Sequence, residues 1–200
     1  MSRLVEVDHD RLSRWLVGFA DRHGSITVDG GALAGADGTT ASVASWQPVD
    51  GAVTDVEALV AATAPPPRLG LLLVRRGGYA VAVAERAALV ARKVGRRHVQ
   101  SHTAAGGWSQ QRFARRRGKQ ADELVNAVTE HAVRILGGAE IDALVRGGDR
   151  ALAAAVLQDP RLRGCGLLLA RDLYDLPDPS PAVLEQALKR ARSVRITLAD

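Results

Sequence analysis

The chain has 200 residues, 46% of them hydrophobic and 24% charged, with a net charge of +5 and one cysteine. Such a chain suits one fair-sized soluble domain with a small extension and buries a core without staples, and a lone Cys165 excludes an internal disulfide framework and a multi-thiolate metal site. The start "MSRLVEVDHDRL" carries no apolar signal core, and runs such as "LGLLLV" fall far short of a membrane span, so a cytoplasmic chain with no membrane partner is expected.

In chain order, "DRLSRWLVGFADRHG" predicts an amphipathic helix. Leu12, Trp15, Leu16 and Phe19 fall at helical spacing, Asp8 or Asp10 can cap the start, and Gly24 can end it. His9 between two aspartates reads as part of that cap cluster rather than as a metal ligand. "SITVDGG" and "TASVASW" are short strand candidates between Gly-rich turns. Three prolines, Pro65 to Pro67, cannot continue the helix of "DVEALVAA" and mark a boundary. We therefore expect residues 1–65 to form an N-terminal extension of helix and short strands, and residues 66–200 the main domain.

Beyond the prolines, "RLGLLLVRR" and "YAVAVAE" flank Gly77-Gly78 as a β-hairpin, and "ALVARKVGRRHVQSH" is a third strand candidate. A long helix is predicted from about Arg112 to Leu136, with Ala121, Leu124, Val125, Val128, Ala132 and Ile135 on one face. Then come a strand "IDALVRGG", a helix "RALAAAVLQ", a turn at Asp159-Pro160, and an apolar strand-like run "GCGLLLARDL" that buries an inert Cys165. The helix "SPAVLEQALKRAR" is capped by Ser180 with Pro181 in its first position, and "VRITLA" closes as a strand. Strands alternating with helices after the hairpin predict an α/β fold, a mixed β-sheet flanked by helices.

Charge is distributed unevenly. Ten of the 27 Lys and Arg residues lie between Arg86 and Lys119, a stretch without Asp or Glu, while acids outnumber bases over the rest of the chain. That asymmetry points to a polyanion, first of all nucleic acid, against the alternative of a solvated basic face; a DNA partner is not expected. Within the stretch, "TAAGGWSQQRFARRRGK" joins Gly106 and Gly107, which free the backbone for close approach to a ligand, to Gln110 and Gln111, and then to Arg112, Arg115, Arg116, Arg117 and Lys119. Cations at a helix start oppose the macrodipole at a cost of about 0.3–1 kcal/mol each. A bound phosphate removes that penalty and gains the free N–H groups, so the helix start reads as a phosphate site. Arg96, Arg97 and His98 precede the loop and join the same set of RNA contacts; His98 and His102 lack the fixed geometry of a general base. A glutamine is no base or nucleophile near neutral pH, but it can position a water or donate to a developing oxyanion. Such a group suits an activated substrate such as an ester.

The segments "RLGLLLVRRGGYAVAVAE", "HTAAGGWSQQRFARRR", "VTEHAVRIL" and "DPRL" resemble the central Gly-Gly-Gln domain of the eukaryotic and archaeal class I peptide release factors, from about Arg68 to the C-terminus. In that domain a strand pair leads into a Gly-Gly-Gln loop and a long basic-started helix, and the loop triggers hydrolysis of peptidyl-tRNA. Here Trp108 stands where those factors have glutamine, and "GWSQ" instead resembles the Gly-x-x-Gln pattern of the release-factor-like peptidyl-tRNA hydrolases of ribosome quality control, above all their actinobacterial branch.

The resemblance implies a catalytic Gln110, with Gln111 in reserve, and Gly106 and Gly107 as the hinge of the loop. It implies the large ribosomal subunit, ribosomal RNA and peptidyl-tRNA as partners of a monomer that uses no cofactor and no metal. No codon-reading domain is recognisable in residues 1–65 and nothing follows the central domain, so codon-independent release is expected. Two alternatives stand beside it: a non-catalytic ribosome or RNA-binding surveillance factor, in which Trp108 marks a lost site, and a nuclease on a similar scaffold. The nuclease ranks last because the basic stretch lacks the clustered carboxylates that hold catalytic metals.

Overall fold

The apolar runs on either side of the three prolines build two separate five-stranded sheets in a computed structural model, which describes residues 2–96 and 109–199 and, over 109–118, the backbone alone. The chain begins with β1 (Ser2–Asp8), α1 (Leu12–His23), β2 (Ile26–Asp29), β3 (Ala32–Gly35), β4 (Thr40–Ala44) and α2 (Val56–Ala62). Asp8 Oδ1 accepts from the Asp10 N–H at 3.0 Å in the turn that leads into α1, and Asp55 caps α2 through the Ala58 N–H at 2.8 Å. His9 belongs to that first turn and binds the Val60 carbonyl at 2.9 Å through Nε2. Leu12, Leu16 and Phe19 from α1 are buried with Val28, Leu33, Val43 and Leu59, so the helical spacing read from the sequence is the spacing of this core.

The second sheet follows with β5 (Arg68–Arg75), β6 (Gly78–Glu85), β7 (Ala88–Arg96), then α3 (Ser109–Leu136), β8 (Ala143–Gly148), α4 (Arg150–Leu157), α5 (Arg163–Gly166), β9 (Leu169–Leu173) and α6 (Pro181–Ala191). Its strand order is β7-β6-β5-β8-β9. The three strands β5, β6 and β7 pair antiparallel, while β5, β8 and β9 pair parallel. The sheet is therefore mixed, as an α/β reading requires. The hairpin turn is Arg76-Gly77, one residue earlier than the Gly-Gly reading, because Arg75 pairs with Gly78. The Ser180 hydroxyl accepts from the Val183 N–H at 3.2 Å and starts α6.

One face of this sheet presents Leu72, Val74, Tyr79, Val81 and Val83 to Leu124, Val128, Ala132 and Leu136 of α3 and to Leu152 and Val156 of α4. Each such side chain contributes about 1.5–3 kcal/mol when fully buried. The run "GCGLLLARDL" departs from the strand reading: its first three residues end the short helix α5, and only from Leu169 does it become β9. Cys165 is buried on that helix with Sγ 3.9 Å from the Leu136 carbonyl, and burial pushes its thiol pKa up.

The chain closes with β10 (Ser193–Ala199), which does not extend the second sheet. It pairs with β1 on one side and β4 on the other, in the order β1-β10-β4-β3-β2. Met1–Pro66 and Lys189–Asp200 accordingly form one compact unit, and Pro67–Leu188 the other. The crossing at Pro66 has its proline signal; the return crossing lies inside α6 and has none.

Gly95 on β7 is a position where only glycine fits. It pairs with Tyr79, and a Cβ there would fall within the van der Waals envelope of the Tyr79 ring. Gly95→Val should force that ring from its place. Overpacking of this kind costs about 1–3 kcal/mol, so the melting temperature should fall by several degrees, read by thermal unfolding; an unchanged melting temperature would show that the ring relocates freely.

Candidate nucleic-acid interface

Two elements frame the loop that carries the predicted glutamines. Arg96, exposed, is the last residue of β7, where it pairs with Gly78 at the hairpin end of β6. Ser109 is the first residue of α3. Gly106, Gly107, Arg97 and His98 lie outside the described residues, as do Trp108 and His102. Gln110, Gln111, Arg112, Arg115, Arg116 and Arg117 have their backbone described as helix, and Lys119 is exposed on the same helix.

The helix starts three residues before the Arg112 expected from the sequence. Gln110 and Gln111 thus belong to its first turn. The first four N–H groups of an α-helix have no intrahelical acceptor, and the first turn of α3 contains no acidic residue to offset the positive end of the dipole. The length of α3 sets the geometry. Its 28 residues run about 42 Å. The described side chains of α3 that pack on the core run from Ala121 to Leu136, and the backbone of Ser109–Gln120 adds about 18 Å of helix ahead of them.

What fixes this long lever is its second half. His131 stacks on Tyr79 with ring centroids 5.3 Å apart and planes 19° from parallel. Since Tyr79 in turn lies over Gly95, the end of β7 and the body of α3 are clamped by one aromatic layer. Burial holds the His131 imidazole below its ordinary pKa, and the charges of Lys93 and Arg134 push the same way. Arg161 adds a bridge at the far end, bonding Glu130 of α3 at 2.7 Å and Asp159 at 2.9 Å. These exposed ion pairs position α3 more than they stabilise it. The sequence reading missed the Tyr79–Gly95–His131 layer. Its only signal was a glycine near the end of a strand opposite an aromatic.

The basic stretch is less concentrated in space than along the chain. Arg86 sits in the turn between β6 and β7, with a φ of 52° and its N–H donating to the Pro67 carbonyl at 2.6 Å. That turn is at the opposite end of β7 from Arg96. Arg92 is engaged by Glu185 of α6 at 3.3 Å. Lys93 and Gly95 share the α3 side of β7, and Arg92 and Arg96 the other side, by strand alternation. Of the basic stretch, the described cations toward the Arg96 end of β7 are thus Lys93 and Arg96 itself, with Lys119 on α3. Among the described residues, no three His, Cys, Asp or Glu side chains are grouped to hold a metal ion, and no helix is long and apolar enough to cross a membrane.

A family model for the Actinobacteria/chloroflexi VLRF1 release factor matches residues 67–197. The chain belongs to that family, which gives it a ribosome-associated, release-factor-like role in translation. No curated protein matches it. The matched segment takes in the whole mixed sheet, the loop, α3 and most of β10.

Proposed function

We propose that the protein is a peptidyl-tRNA hydrolase that frees nascent chains from stalled ribosomes or large subunits without reading a codon. The observation that carries the reading is the placement of Gln110 and Gln111 in the first turn of a long helix that has no acid there and is followed by four arginines and a lysine. In this reading Arg112, Arg115, Arg116, Arg117 and Lys119, with Arg96, Arg97 and His98, hold phosphates of ribosomal RNA and tRNA. Gly106 and Gly107 let the loop backbone approach the ester. The side-chain carbonyl of Gln110 accepts a hydrogen bond from a water and orients its oxygen toward the ester carbon. The bond from that carbon to the ribose oxygen breaks, the peptide leaves as a carboxylate, and the proton balance closes through the ribose hydroxyl and solvent. The glutamine contributes position rather than proton transfer. Residues 66–200 serve as the catalytic domain and residues 1–65 as its extension. Localisation in the cytoplasm and a monomeric state go with this reading.

The presence of Trp108 directly after Gly106-Gly107 favours one rival, a surveillance factor that binds the ribosome without catalysis. Purified protein incubated with large subunits bearing peptidyl-tRNA separates the two. Freed peptide, resolved from peptidyl-tRNA by electrophoresis, is the expected result. Binding to the subunits without any freed peptide would establish the rival.

A further inference from the structure

The end of the second sheet from which the loop departs carries cations that lie outside the basic stretch of the sequence. Arg75 and Arg76 form the end of β5 and the turn of its hairpin, and Gly78 of that hairpin pairs with Arg96. The neighbouring parallel strand β8 ends at Gly148, in register with Val74, and α4 begins at Arg150. Arg76, Arg96 and Arg150 are exposed and in no described ion pair with a carboxylate; the Arg150 guanidinium lies 4.5 Å over the Tyr174 ring. Between the two strand ends lies an open cavity of about 470 Å³ lined by Arg75, Arg76, Gly77, Gly148, Asp149 and Asp178.

The cavity sets two arginines beside two aspartates. Arg75 Nε is buried without a hydrogen-bond partner, and its Nη1 stands 3.9 Å from Asp178 Oδ1, beyond hydrogen-bonding range. Most of the donors of that guanidinium fork are thus unspent. Asp149 Oδ1 is already committed to the Ala151 and Leu152 N–H groups at 2.9 and 3.1 Å. Gly148 has a φ of 87° and no room for a Cβ against the Val74 carbonyl, so the floor of the cavity stays bare backbone. The carboxyl ends of parallel strands are where open α/β sheets bind ligands. Arginine forks match phosphate oxygens with two parallel bonds.

We infer that this strand-end cavity is a second RNA-backbone site, in which Arg75 and Arg76, with Arg150 one residue beyond the lining Asp149, bind phosphates independently of the start of α3. The inference rests on ribosomal RNA as the partner proposed above. The site borders that interface, because Arg96 pairs with Gly78, the residue after the cavity's Gly77. Asp178 is its built-in competitor: an exposed carboxylate facing Arg75 and set against any phosphate that enters.

The test uses the full chain and purified large ribosomal subunits, with affinity measured over a series of salt concentrations. Arg76→Ala combined with Arg150→Ala should lower the steepness of the log-affinity against log-salt line by about two, one for each phosphate left without its arginine. Arg76→Ala alone, an exposed turn substitution with no fold consequence, should lower it by about one. Asp178→Asn should act in the opposite direction and tighten binding several-fold, an effect that loss of structure would not produce. A wild-type protein that binds, with a double variant of identical slope, overturns the site. A wild-type protein that does not bind large subunits at all overturns the underlying RNA reading and the site with it.

Discussion

Gln110→Ala should abolish peptide release while leaving ribosome binding close to that of the wild type. A glutamine that orients water acts on the transition state, whereas the arginines supply affinity common to ground and transition states. Loss of one positioned polar group of this kind costs on the order of 10²–10³-fold in rate, by comparison with oxyanion donors. Gln111→Ala should cost much less. Both residues are in the first turn of α3, and adjacent helical positions leave the axis about 100° apart. Single-turnover release on peptidyl-tRNA-loaded large subunits measures both. Full activity in Gln110→Ala with loss in Gln111→Ala would move the catalytic role by one residue. Full activity in the double variant would take both glutamines out of the mechanism. Trp108→Gln, which restores glutamine next to Gly107 without its surroundings, should fail to rescue Gln110→Ala.

The second large effect concerns affinity. Replacing Arg115, Arg116 and Arg117 together by Ala should weaken binding to large subunits by roughly 10²–10³-fold near 0.1 M salt, since three neutralised phosphates correspond to a slope of about 2.7 in log affinity against log salt. The helix itself should survive, because alanine is the best helix former and the described core side chains of α3, Leu124, Val128, Ala132 and Leu136, are untouched. Co-sedimentation at several salt concentrations, paired with circular dichroism, reads both parts. Unchanged co-sedimentation of the triple variant would remove these arginines from the interface.

Much of the second sheet was legible because its strands announce themselves locally. "LGLLLV" and "YAVAVA" are buried runs bounded by charge and glycine, and they became β5 and β6. The long helix was legible from the spacing of Leu124, Val128 and Ala132, but its start was not. Polar residues such as Ser109, Gln110 and Gln111 carry no periodic signal, and helix ends are the least determined part of any pattern. "GCGLLLARDL" misled because an apolar run does not distinguish a short buried helix from a strand. The strand "SRLVEVD" went unread for a different reason. Its partner β10 lies far along the chain, with Ser2 opposite Ala199 and Asp8 opposite Ser193, so nothing nearby in the sequence reports the pairing. The spacing of Gly106, Gly107 and Gln110 stands out along the chain by itself. The clamp behind the loop does not, since a Tyr-Gly-His layer is assembled from three separate elements. The hairpin arginines Arg75 and Arg76 escaped notice because a linear count of charge starts afresh after the hairpin, whereas the sheet folds their end back beside Arg96.

The place of β10 between β1 and β4 has a temporal meaning. A newly made chain acquires β1 and β4 early, yet these two strands are not neighbours and have no ladder to share until Ser193–Ala199 is delivered between them. The second sheet takes all five of its strands from Pro67–Leu188, made after β1 to β4 and before β10. The first sheet is therefore completed last, and only once translation has passed residue 199 and that segment has cleared the exit tunnel. A protein with a release-factor-like role thus depends, for closing its first sheet, on a strand that the ribosome makes only after every strand of the second.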